Sequence, residues 1–270
     1  MGIKKFLSGI ILFPIFAVIM ILGNKYVIDI AVSIVAIMCL HEFYKAFKGN
    51  GKAKPIEWVG YVAAGATAII HVIPSNLILP IIGAIIPISI MILFVQVILS
   101  NMKLNIIDIS VTFLGICYIV LFLMFAPIIR ENIPNGKILI WFVFFIAWGT
   151  DIFAYLIGSR LGKHKFTEVS PNKSIEGCIG GTIGAILMIL IYTAVCNQVF
   201  GMSISYLYAV FIAILLSILS QIGDLAASCI KRFCGIKDYS NLIPGHGGML
   251  DRIDSVIFVL PFAYFLLMLI

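Results

Sequence analysis

The chain has 270 residues, of which 62% are hydrophobic and 11% charged, with a mean hydropathy of +1.17. Soluble domains average about 45–50% apolar and about 25% charged residues, so this composition excludes a water-soluble globule and makes lipid the solvent for most of the chain. The net charge of +6 comes mainly from loop lysines and arginines and does not imply nucleic-acid binding.

A spanning helix needs roughly 20 mostly apolar residues, and only helices or closed barrels satisfy their backbone polar groups within hydrocarbon. The apolar runs are too long and unbroken for barrel strands, which alternate over about ten residues. The expected fold class is all-α, a polytopic integral membrane protein of about nine transmembrane helices. In chain order the predicted spans are 6–23, 26–41, 57–74, 76–99, 106–128, 138–158, 177–199, 205–230 and 253–270. The first two are parted only by Asn24-Lys25, as in a short helical hairpin. Residues 1–22 have the basic end and apolar stretch of a secretory signal, but Gly23-Asn24-Lys25 is a poor cleavage site, so an uncleaved first span is expected. With the N-terminus cytoplasmic, fifteen of the eighteen Lys and Arg residues fall inside, leaving only Lys25, Arg130 and Lys137 outside. That asymmetry is what the positive-inside rule demands.

Residues 1–140 read as a transmembrane scaffold. Their acids, Asp29, Glu42, Glu57, Asp108 and Glu131, form no pattern. Asp29 and Asp108 fall near span ends and are expected to be interfacial, and His71 is expected to be a packing or interfacial residue. The six cysteines match neither a zinc site nor a disulfide framework and are expected to pack as small apolar groups. Residues 141–270 differ in character. They form the expected catalytic region, with two cytoplasmic loops at 159–176 and 231–252, each preceded by a span bearing an acid, Asp151 and Asp224. Ionisable groups within the membrane are costly and mark functional sites.

The second loop is dense in chemistry. Asp224 and Ser228 share one helix face, and Lys231 and Arg232 follow at the helix end that favours cations. Pro244-Gly245 and Gly247-Gly248 permit a tight turn, after which Asp251 and Asp254 open the last helix. Carboxylates beside cations, around a glycine turn and a helix N-terminus, suit a magnesium-bound polyphosphate. In the first loop, Asp151, Tyr155 and Gly158 keep helical spacing and could line a polar cavity. Gly177, Gly180, Gly181 and Gly184 favour close helix packing. Lys173, after Ser170-Pro171, suits a phosphate as well as it suits a free surface.

Residues 228–254 resemble the signature of the phosphatidate cytidylyltransferase family, the CDP-diacylglycerol synthases. Ser228-x-x-Lys231-Arg232, Lys237-Asp238, Pro244-x-His246-Gly247-Gly248 and Asp251-Arg252-x-Asp254 fill every position of that pattern. The segment Ser170-Pro171-x-Lys173-Ser174-x-Glu176-Gly177 is also similar to the family. The resemblance implies transfer of CMP from CTP to phosphatidate, giving CDP-diacylglycerol and pyrophosphate for phospholipid biosynthesis. It implies a magnesium requirement, leaves open a second cation, monovalent or divalent, and a homodimer is common among such enzymes. On the same basis Asp224 and Asp251 bind metal with Asp254 assisting, and Lys231, Arg232, Lys237, Arg252 and Lys173 bind phosphates. Ser228, His246, Gly247 and Gly248 contribute to the substrate site, Asp238 orients Lys237, and Asp151 shapes the polar cavity. The enzyme would lie in the cell (inner) membrane with its site facing the cytoplasm, where CTP is found. Two rivals stay open. A CTP-dependent lipid kinase would move the γ-phosphate instead, and a transporter would be expected to show two repeated halves, whereas the polar residues here crowd into one.

Overall fold

The computed structural model describes residues 14–242 and 247–270. The start of the predicted span 6–23, the Pro244-Gly245 turn and His246 lie outside the described residues. Among those described there is no β-strand, and an isolated antiparallel bridge joins Lys165 and Ser174. The chain divides into two compact units, Met1–Pro127 with Phe233–Arg252, and Ile128–Arg232 with Ile253–Ile270. Six helical segments among the described residues are long and apolar enough to cross a membrane: Lys25–Gly49, Ser75–Leu99, Ile106–Asn132, Gly136–Leu161, Ile175–Val199 and Tyr206–Cys234. This is a multi-pass membrane protein.

In the first unit, residues 14–22 are helical (α1), and α2 (Lys25–Gly49) starts afresh because Asn24 Oδ1 accepts the Val27 N–H at 3.0 Å, an N-cap between two apolar runs. Next come α3 (Glu57–Ala66), a 3₁₀ segment (Thr67–Val72), α4 (Ser75–Leu99) and α5 (Ile106–Gly115), which runs on through a wider turn (Ile116–Leu121). Helix α2 packs closely against α3 and α5 because both offer a glycine to Tyr44. A Cβ on Gly60 would lie 2.3 Å from the Tyr44 hydroxyl, and one on Gly115 2.7 Å from its ring. The Tyr44 hydroxyl donates to the Thr112 carbonyl at 3.0 Å.

Two acids differ from their expected interfacial setting. Asp29 is buried, with His71 Nδ1 at 2.7 Å and the His71 N–H donating at 3.2 Å. Asp108 is also buried, in a capping box with Asn105 at the start of α5, and accepts the Lys54 N–H at 2.6 Å. Both are tolerated because their oxygens meet donors that would otherwise go unsatisfied.

The second unit holds most of α6 (Phe125–Asn132), then α7 (Gly136–Leu161), α8 (Ile175–Val199), nearly all of α9 (Tyr206–Cys234), and α10 (Leu250–Leu267) from Ile253 onward. The glycines of α8 are packing residues, as expected. A Cβ on Gly180 would lie 2.4 Å from Ile157, on Gly181 2.7 Å from the Thr150 carbonyl, and on Gly184 2.1 Å from Phe153, all on α7. Gly223 does the same for α9 against α10, where a Cβ would meet the Asp254 carbonyl at 2.7 Å.

Candidate active site

In the second unit, α7 carries Asp151, α9 carries Asp224, Ser228 and Lys231, α10 carries Asp254 and Ser255, and the α7–α8 loop carries Lys173. Lys173 forms an ion pair with Asp224 through Nζ and Oδ2, both side chains partly buried. The Ser255 hydroxyl donates to Asp151 Oδ2 at 3.1 Å and lies 3.3 Å from Asp254 Oδ1, so it couples two acids. Asp254 is buried within electrostatic reach of Asp224, Lys231 and Asp151. Ser228 and Lys231 are buried as well. Buried Asp254 and Lys231, the partly buried Lys173–Asp224 pair and the exposed Asp151 thus bring three carboxylates together with two lysines, a net negative charge that favours a bound cation.

The loop sequence accounts for the placing of Lys173. A turn centred on Pro171-Asn172 closes with the Lys173 N–H donating to the Ser170 carbonyl at 3.0 Å. A small hairpin follows, with the Phe166 N–H on the Lys173 carbonyl at 2.9 Å and the Ile175 N–H on the His164 carbonyl at 3.0 Å. Glu176 clamps its base, accepting the Lys163 and His164 N–H groups at 3.1 and 3.3 Å, with His164 Nδ1 at 2.6 Å. Ser174 caps α8 by accepting the Gly177 N–H at 3.1 Å.

Behind Asp224 runs a ladder of polar side chains linking three helices. The Thr150 hydroxyl donates to Ser217 Oγ at 2.9 Å, Ser217 donates to Thr182 Oγ1 at 3.1 Å, and Gln221 Nε2 donates to Thr182 Oγ1 at 3.2 Å. Gln221 stands three residues before Asp224 on α9. The ladder therefore ties α7 and α8 to the part of α9 that carries the acid.

In the first unit, Tyr239, Ser240 and residues 248–250 gather around two carboxylates. Asp251 Oδ2 accepts the Tyr239 N–H at 2.8 Å and the Gly248 N–H at 3.0 Å. Glu42 Oε1 accepts the Ser240 hydroxyl at 2.6 Å and the Met249 N–H at 3.0 Å, while Oε2 accepts the Leu250 N–H at 2.9 Å. Gly247 has φ +83°, and a Cβ on Gly248 would lie 2.5 Å from Glu42 Oε2. The glycine pair lets the backbone come this close to the acids. The amides of Gly248, Met249 and Leu250, where the sequence suggested a phosphate cradle, serve the chain's own carboxylates. Lys237, Asp238 and Arg252 are exposed. Arg232, in the second unit, is also exposed, with Nε 3.4 Å from the Val169 carbonyl.

Among the described residues no three His, Cys, Asp or Glu side chains form a ready metal cage.

Residues 3–270 match the model of the cytidylyltransferase family. The chain belongs to this family. Among similar proteins, the phosphatidate cytidylyltransferase of Bacillus subtilis (strain 168) is 38% identical over 168 residues, covering 62% of this chain and 59% of that protein. That of Staphylococcus saprophyticus is 37% identical over 177 residues, 65% of each chain, and that of Staphylococcus aureus (strain COL) is 39% identical over 171 residues, 63% of each. The matches therefore span less than two thirds of these relatives' lengths.

Within this cytidylyltransferase-family chain, three features escaped the sequence. Glu42 is an isolated acid in a helix, Ser255 follows a motif without belonging to it, and the ladder at Thr150, Thr182, Ser217 and Gln221 spreads over three spans. Only spacing on one helix signals a shared face, and these partners are set by packing between helices.

Proposed function

We propose that this protein is a phosphatidate cytidylyltransferase, transferring CMP from CTP to phosphatidate to give CDP-diacylglycerol and pyrophosphate. The observation that carries the reading is the grouping of Asp151, Asp224 and Asp254 with Lys173 and Lys231. It joins the two sequence segments that resemble the family, in a chain whose relatives bear that name. A phosphate oxygen of phosphatidate attacks the α-phosphorus of CTP, the bond from that phosphorus to the bridging oxygen breaks, and the electron pair leaves with pyrophosphate. A phosphomonoester has its second pKa near ~6, so the nucleophile is already an anion and needs no strong base. The task is to bring two polyanions together in line. Lys173, Lys231, Arg232, Lys237 and Arg252 would offset phosphate charge, and Ser255 would hold Asp151 and Asp254 in place. Magnesium would be held by Asp224 and Asp251, with Asp254 assisting, and would supply charge neutralisation at the phosphates.

The same proposal includes nine spans, a cytoplasmic N-terminus and a site facing the cytoplasm. Helix α3 and its 3₁₀ extension, ten and six residues long, give roughly 27 Å of rise, and the 18 residues of α10 give about the same. Either approaches the ~30 Å hydrocarbon thickness. The test is mass spectrometry of lipid extracted after purified protein meets phosphatidate, CTP and magnesium. CDP-diacylglycerol from the wild type and none from Asp224→Asn is expected. Unchanged phosphatidate with the wild type would defeat the reading.

A further inference from the structure

We propose that Glu42 is a positioning residue of the active-site loop, an internal carboxylate that holds Ser240 and the Met249–Leu250 start of α10 and so sets the pose of Asp251. The proposal rests on the transferase reading insofar as that loop is catalytic. Glu42 lies on α2, remote in sequence from every motif residue, and is buried. A buried carboxylate is costly unless its oxygens are filled, and here they are filled by one segment. Oε1 takes the Ser240 hydroxyl and the Met249 N–H, and Oε2 takes the Leu250 N–H.

The two amides open α10, where unpaired N–H groups and the helix dipole favour an anion. A glutamine could not replace it, because its NH₂ group would meet a second donor at one of the two positions. An aspartate would be one methylene short. Leu250 directly precedes Asp251, which itself gathers the Tyr239 and Gly248 amides. Asp251 thus holds the Tyr239 and Gly248 amides and Glu42 those of Met249 and Leu250, and a Cβ at Gly248 would lie 2.5 Å from Glu42 Oε2. With these amides taken, substrate phosphate must rely on side-chain cations at this end of the loop.

The test combines hydrogen exchange with kinetics on the full-length protein in detergent. In Glu42→Gln, exchange at the Met249 and Leu250 amides should accelerate about tenfold or more, with the α2 peptides unchanged. Its kcat should fall at least about tenfold while KM for CTP stays within about threefold. Gly248→Ala should reproduce the defect in the wild-type background and add nothing to Glu42→Ala, whose side chain no longer clashes. Unchanged exchange and kcat in Glu42→Gln would overturn the proposal. So would exchange that rises uniformly across α2, or Gly248→Ala being equally damaging in both backgrounds. If the wild type turns over no CTP while the local exchange change is seen, the transferase reading fails and the Glu42 clamp stands.

Discussion

Replacing Lys173 by methionine tests the electrostatic account of the site. The substitution keeps the length of the aliphatic stem and removes the charge that pairs with Asp224. Asp151, Asp224 and Asp254 would then face Lys231 alone among the neighbouring lysines. Two unit charges about 4 Å apart interact by about 4 kcal/mol at an effective dielectric of 20, whereas fully exposed pairs give about 1 kcal/mol or less. The side chains here are 22% and 29% exposed, so about 1–2 kcal/mol is the expected share, or about 5–30-fold in binding. The loss should fall on CTP, whose phosphates would meet a more negative pocket. Initial rates at varied CTP and saturating phosphatidate should show KM raised about tenfold in Lys173→Met and within about threefold in Lys173→Arg. If Lys173→Met leaves KM and kcat within about twofold of wild type, the pair is a surface contact and the reasoning is wrong.

Three further outcomes are expected. Gly184→Ala places a methyl 2.1 Å from Phe153 Cγ, so it should destabilise the α7–α8 pair by about 1–3 kcal/mol, read as a lower unfolding midpoint in detergent. His71→Ala leaves Asp29 buried without its ring partner and should cost about 3 kcal/mol by the same measurement, with specific activity of the folded fraction retained. Ser255→Ala breaks the link between Asp151 and Asp254 and should lower kcat about tenfold without changing the unfolding midpoint, checked by kinetics beside thermal denaturation.

Six of the nine expected spans and the two polar loops were legible because both follow from composition and local spacing. The α8 glycines were read as packing residues for the same reason, since their spacing puts several of them on one face. Lys173 was an even choice on spacing alone, and its ion pair with Asp224 depends on a turn and hairpin that bring it across the loop. The role of Glu42 could not be read, because its partner Met249 lies 207 residues away. The pairing of Asp29 could not be read, because its partner His71, 42 residues on, is reached only through the fold of α2 against the 3₁₀ segment. The glycine turn was expected to offer amides to phosphate, and nothing in its sequence says that Asp251 takes the Gly248 amide and Glu42 those of Met249 and Leu250.

The most direct test of the central claim is label transfer by the purified protein, with CTP labelled separately at the α- and γ-phosphates, phosphatidate and magnesium, beside Asp251→Asn. The account predicts α-label in lipid, γ-label released as pyrophosphate, and neither with the variant. Label from the γ-phosphate in lipid, or no transfer of either under conditions where a known synthase works, would contradict it.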